Sequence, residues 1–124
     1  MVMGLGYYYR DQAEQFSFIR IPKAIVKEEI FAPLSIQAKI LYGLLRDKMS
    51  GSMKNRWLDD KNRAFIVYPV TEISEDLGVS KKKAIESLTE LENIGLIEKK
   101  QRGQGKPNII YVKNFASHQK MSEV

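Results

Sequence analysis

The stretch from Thr71 to Arg102, TEISEDLGVSKKKAIESLTELENIGLIEKKQR, leaves this chain few folds to choose from. It reads as two helices followed by a strand. Thr71 is a good N-cap, and Ile73 and Leu77, four residues apart, share one face of a short first helix. Gly78 supplies the backbone freedom for a tight turn, and Val79 is a natural plug between the helices. Ser80 caps a longer second helix in which Ala84, Leu88 and Leu91 line the inner side, with Ile85 and Ile94 beside them. Gly95 is expected to end it as a left-handed C-terminal cap, and Leu96-Ile97 begins a strand. A short helix, a glycine turn and a longer helix with a basic first turn are the parts of a DNA-reading helix-turn-helix.

Lys81, Lys82 and Lys83 crowd the first turn of the second helix. Cations there oppose the helix dipole, which favours acids at that end. A helix built for stability alone would carry Asp or Glu instead. The competing reading is that lysines are soluble helix formers on a solvated face. The residues after the helix shift the balance. Leu96 to Gln101 and Asn108 to Lys113 have the composition of strands, joined by Arg102-Gly103-Gln104-Gly105-Lys106-Pro107. A hairpin directly after a helix-turn-helix is a wing. Its glycines keep the tip thin enough to approach a groove, where Arg102 and Lys106 can meet phosphates or a narrow minor groove. The bland alternative is an ordinary hairpin turn with incidental charge. The expected class is therefore α+β, a winged helix-turn-helix of three core helices and a β-hairpin wing.

Composition agrees with a single domain of modest core: 124 residues, 44% of them hydrophobic. The absence of cysteine excludes disulfides and thiolate zinc sites and suits a reducing cytoplasm. No apolar run approaches the length of a membrane span, and the opening MVMGLGYYYR lacks a basic leader with an apolar core. Net charge is +5, and between Ser80 and Lys113 eight cations face four acids, so most of the surplus lies on the second helix and the wing. A polyanionic partner is the simplest physical use of such clustering.

The preceding segments supply the scaffold. Residues 1–33 read as an arm and extension. The run Tyr7-Tyr8-Tyr9 is expected to pack back onto the domain. Phe16 to Ile21 alternates as a strand, and Pro22 stands at the first position of a short helix that buries Ile25, Val26 and Ile30. Residues 34–115 form the winged-helix domain. Ser35 caps its first core helix, where Leu34, Ala38, Leu41, Tyr42 and Leu45 repeat at helical spacing up to an end near Met49 to Gly51. Gly43 within that helix implies close approach of another element, since glycine otherwise weakens a helix. Trp57-Leu58 and Ala64 to Tyr68 flank a turn in which Asn62 can adopt positive φ, and the second flank is expected to pair with the wing hairpin. Lys54, Asn55 and Arg56 are further candidates for phosphate contact. Residues 116–124 read as a flexible tail.

Catalytic chemistry finds no residues to carry it. His118 is the only histidine, so neither a histidine metal cluster nor a Cys-His site can be assembled. Asp59 and Asp60 are adjacent acids in a turn, an arrangement that is usually solvated. Gly103-Gln104-Gly105-Lys106 is too short for a phosphate-cradling loop and lies between strands. A non-enzymatic role, with no metal and no cofactor, is expected.

Three segments together resemble one family: LSIQAKILYGLLRDKM, WLDDKNRAFIVY and GQGKPNIIYVKNF. With the helix-turn-helix between them, they look like the N-terminal domain of RepA-type plasmid replication initiators of low-GC Gram-positive bacteria, from about Phe18 to Phe115. Asn62 stands where such a turn is expected to hold glycine, and asparagine tolerates the same backbone region. The resemblance implies a winged helix that binds repeated origin sequences in double-stranded DNA as a homodimer, starting theta-type replication. It implies a separate C-terminal domain that engages host replication proteins, and this chain, ending just past the wing, then reads as a DNA-binding fragment or a truncated natural form. Carried onto these residues, the helix beginning at Ser80, with Lys81, Lys82 and Lys83, enters the major groove. The wing from Lys99 to Asn108, with Lys100, Arg102, Gly103, Gln104 and Lys106, holds the flanking backbone or minor groove. Dimer contacts fall to the N-terminal segment. Two other readings stay open: a winged-helix interaction module whose basic face meets an acidic replication protein, and a transcriptional regulator with the same DNA mechanism.

Overall fold

A computed structural model describes residues 3–10, 16–55, 57–105 and 107–115. Helix α1 (Lys23–Lys27) and a single 3-10 turn (Glu29–Phe31) lead into the long helix α2 (Ile36–Asn55). Helices α3 (Val70–Leu77) and α4 (Lys81–Asn93) come next, then strands β1 (Ile97–Lys100) and β2 (Ile109–Val112). Helix α2 packs against both α3 and α4, and the two strands form one antiparallel hairpin with Ile97 opposite Val112 and Lys100 opposite Ile109. The architecture is an α+β winged helix-turn-helix. No helix among the described residues is long and apolar enough to cross a membrane.

The core collects the residues that helical spacing selects. Ala38, Leu41, Tyr42 and Leu45 of α2, Ile73 of α3, and Ala84, Leu88 and Leu91 of α4 are all buried together. Ile97 and Ile110 close this core from the hairpin, and Ile25, Phe31 and Leu34 extend it on the N-terminal side. The Phe115 ring meets Phe31 edge-on at 5.4 Å, and the Tyr42 hydroxyl donates to the Lys113 carbonyl oxygen. The chain leaving β2 is thereby fastened to α2.

Turns form where the backbone permits them. Gly78 (φ 70°) and Gly95 (φ 87°) both occupy the left-handed region, ending α3 and α4. The Leu96 N–H returns to the Leu91 carbonyl at 2.9 Å, which closes the end of α4 and turns the chain into β1. Val79, half-buried, packs against the core between α3 and α4. Asn62 (φ 63°) makes the turn after Trp57-Leu58, where Leu58 bridges Ala64.

Several expectations are corrected. Helix α3 begins at Val70, with Pro69 rather than Thr71 at its N-cap position; the proline ring holds φ at −63° and leads the chain in extended. Pro22 likewise sits one residue outside α1 as its N-cap. Residues 16–21 form no strand: an alternating pattern needs a neighbouring edge to bond to, and this segment has none among the described residues. Helix α2 runs past Gly51 to Asn55, because one glycine weakens a helix without ending it. The Ala64–Tyr68 segment does reach the wing, but through one bridge. Ile66 and Ile110 exchange both N–H to carbonyl bonds at 2.9 Å on the edge of β2 away from β1. Val26 and Ile30 also remain exposed, so α1 buries Ile25 alone.

Gly43 marks a close approach. A Cβ built there would lie 2.6 Å from Ile21 Cγ1 and 3.5 Å from the Arg20 carbonyl oxygen. The segment ahead of α1 crosses α2 at this point.

Candidate nucleic-acid interface

Helix α4 is positioned from both ends. At its start the Ser80 hydroxyl accepts the Lys83 N–H at 3.2 Å, satisfying one of the free donors of the first turn. Towards its end the Glu90 carboxylate reaches α2. It accepts the Ser35 N–H on Oε1 and the Ser35 hydroxyl on Oε2, each at 2.7 Å, while Ser35 Oγ also accepts the Ala38 N–H. A carboxylate from α4 thus sits at the positive N-terminus of α2. Sequence reading found Ser35 as a cap and missed its partner, which lies 55 residues away.

This frame leaves Lys81, Lys82 and Lys83 exposed on the first turn of α4. Lys83 Nζ lies 3.7 Å from Glu86 Oε2, whereas Lys81 and Lys82 carry no ion pair among the described residues. The pair is exposed on both sides and holds Lys83 weakly. Ile85, expected beside the inner face, is instead 49% exposed, one turn after Lys81.

On the wing, Lys99 Nζ lies 3.5 Å from Glu92 Oε1, which ties β1 to the last turn of α4. Lys100, Gly103, Gln104 and Asn108 are exposed, and Gly103 (φ 98°) and Gly105 (φ 77°) give the tip its left-handed backbone. Arg102 is not a free cation. Its Nε donates to the Pro107 carbonyl oxygen at 3.3 Å, and its guanidinium lies 5.6 Å from the centre of the Phe65 ring. Lys106, and with it Arg56 and His118, lies outside the described residues, as do the side chains of Lys54 and Asn55.

The turn before Phe65 braces the wing, a role its sequence did not announce. Asp59 Oδ1 accepts the backbone N–H groups of Lys61 and Arg63, and Oδ2 accepts Arg63 Nε at 2.7 Å and the Tyr111 hydroxyl at 2.9 Å. The Arg63 guanidinium lies 4.9 Å from the Tyr111 ring centre, and Phe65 meets that ring edge-on. Burial alone would raise the Asp59 carboxyl. The Arg63 donors, the Tyr111 hydroxyl and the Lys61 N–H outweigh it and hold the group well below the usual carboxylate range. Burial, and then the bond to Asp59, push the Tyr111 hydroxyl up. Arg63 keeps half its side chain exposed, so this brace also presents a cation beside the wing.

The model of a family described as the N-terminus of replication initiator protein A (RepA) matches residues 17–124. The chain belongs to that family. Among curated relatives of this family member, a 41 kDa protein of Lactobacillus helveticus is 25% identical over 96 residues. The match takes in 77% of this chain and 27% of that protein, so the chain spans about a quarter of the relative's length. Among solved structures it is similar to an N-terminal domain of a DNA-binding protein, with a TM-score of 0.74 and 30% identity over 97% of this chain and 98% of the other. A structure of a Rep–DNA complex matches with a TM-score of 0.73, at 30% identity over 96% and 98% of the two chains. A structure of an MDR initiator matches at 0.68, with 26% identity over 96% and 99%.

Proposed function

We propose that this family member binds double-stranded DNA sequence-specifically at the repeats of a plasmid origin, and so takes part in starting theta-type replication. Helix α4 enters the major groove, and the wing lies on the flanking backbone or minor groove. The observation that carries this reading is the capped first turn of α4, where Lys81 and Lys82 stand exposed and unpaired among the described residues, against the dipole of their own helix. Family membership and the likeness to a chain of a Rep–DNA complex support it. The chain acts by binding rather than by catalysis, as a homodimer in the cytoplasm. Host replication proteins are engaged by parts of the initiator other than this domain.

Fluorescence anisotropy on origin-repeat duplexes, from about 50 to 200 mM salt, tests the reading. About five phosphate contacts per protomer give a log–log salt slope near −4 to −5. A flat response removes phosphate contact from the mechanism. Equal affinity for random duplex removes sequence recognition and favours an acidic protein as partner.

A further inference from the structure

The outward row of α4 runs Lys81, Ile85, Thr89, each one turn after the last, with Lys82 and Glu86 alongside. Its buried side holds Ala84, Ser87, Leu88 and Leu91, so the helix has no need of Ile85 for its core. An exposed β-branched residue in mid-helix serves helix stability less well than Lys, Glu or Ala would. Two polar neighbours of Ile85 are engaged, while Lys81 and Lys82 carry no ion pair among the described residues. Thr89 Oγ1 donates to the Ile85 carbonyl at 2.9 Å, and Glu86 faces Lys83. One turn in from the cap, therefore, the face offers an apolar surface between lysines and a hydroxyl that is already bonded. Isoleucine in a helix is nearly fixed at χ1, so that surface is rigid.

Resting on the DNA-binding function proposed above, we infer that Ile85 is a specificity-determining residue that reads thymine through its C5 methyl group in the major groove. Of the four bases only thymine presents an apolar group there. Lysines on the first turn would meet phosphates while the next turn packs Ile85 against that methyl.

The experiment uses a duplex selected by the full chain from a randomised pool. Each thymine is then replaced in turn by deoxyuridine, which removes the methyl and leaves every hydrogen-bonding group in place. Burying one methyl corresponds to roughly a fourfold change in affinity. The wild-type chain is expected to lose about that factor at one thymine. Ile85→Ala should bind the thymine duplex about as weakly as wild type binds the deoxyuridine one and be indifferent to the exchange, while Ile85→Val keeps part of the dependence. An Ile85→Ala variant that retains the wild-type deoxyuridine profile overturns the assignment, as does a selected site at which no thymine methyl matters. A change in sedimentation on Ile85→Ala also overturns it, placing the side chain between copies of the chain. Failure to enrich any duplex is a distinct result, which removes the DNA-binding function and this role together.

Discussion

Replacing Glu90 with alanine tests whether α4 is held by its carboxylate. Two bonds at 2.7 Å join that group to Ser35 at the start of α2. Hydrogen bonds to a charged group contribute about 1.5–3 kcal/mol each, and a carboxylate at a helix N-terminus about 0.3–1 kcal/mol more. Both residues are only half-buried, so solvent takes part of this back. A net loss of about 2–3 kcal/mol is expected, against a total stability of about 5–15 kcal/mol for a domain. In urea the midpoint should fall by about 1–2 M with an unchanged slope. Glu90→Gln, which retains an acceptor without the charge, should lose about half as much. In a double-mutant cycle with Ser35→Ala the two losses should fail to add by roughly 1 kcal/mol or more. A loss for Glu90→Ala within about 0.5 kcal/mol of zero, the range of ordinary surface substitutions, would refute the reasoning. So would strict additivity with Ser35→Ala.

Two other perturbations probe close contacts. Gly43→Ala brings a methyl to within 2.6 Å of Ile21 Cγ1. Overpacking costs about 1–3 kcal/mol and the gain in helix propensity is about 1 kcal/mol, so a net loss of up to about 2 kcal/mol is expected by urea unfolding. In an Ile21→Ala background the same change should become stabilising. The Asp59 brace should weaken in acid. Its carboxyl is depressed in the folded chain, so its stabilisation is present above the ordinary carboxylate value of about 4 and is lost as pH falls towards the folded value. Urea midpoints between neutral pH and about pH 3.5 should therefore drop more for the wild-type chain than for Asp59→Asn.

How much of the fold and the site was legible in the sequence depends on where each cause lies. Gly78, Gly95 and Asn62 were readable because a left-handed backbone restricts the residue types that can occupy it. Ser80 and Ser35 were readable because a cap is a local geometry. Gly43 was readable as a close approach, though nothing in the pattern named Ile21 as its neighbour. The helix, turn, helix order came from spacing, as did the core positions of α2, α3 and α4, and the hairpin came from its glycine loop. Strand formation at 16–21 was not decidable from alternation, which says which face is apolar and not whether an edge waits beside it. The candidate site was legible as a cluster of cations and illegible as a set of partners. Arg102 lies over Phe65, Lys99 faces Glu92 and Asp59 joins Arg63 to Tyr111, contacts that exist only once the hairpin folds back. Ile85 was misplaced because helical periodicity assigns a residue at the border of a face to either side.

The crossing of Ile21 over Gly43 changes what the front of the chain is. Residues 20 and 21 occupy the space that a side chain on α2 would otherwise fill. A shortened protein beginning at Pro22 would thus lose part of its interior, leaving a notch in its central helix, and no regrafted tag would mend it unless an aliphatic group came to rest in the same place.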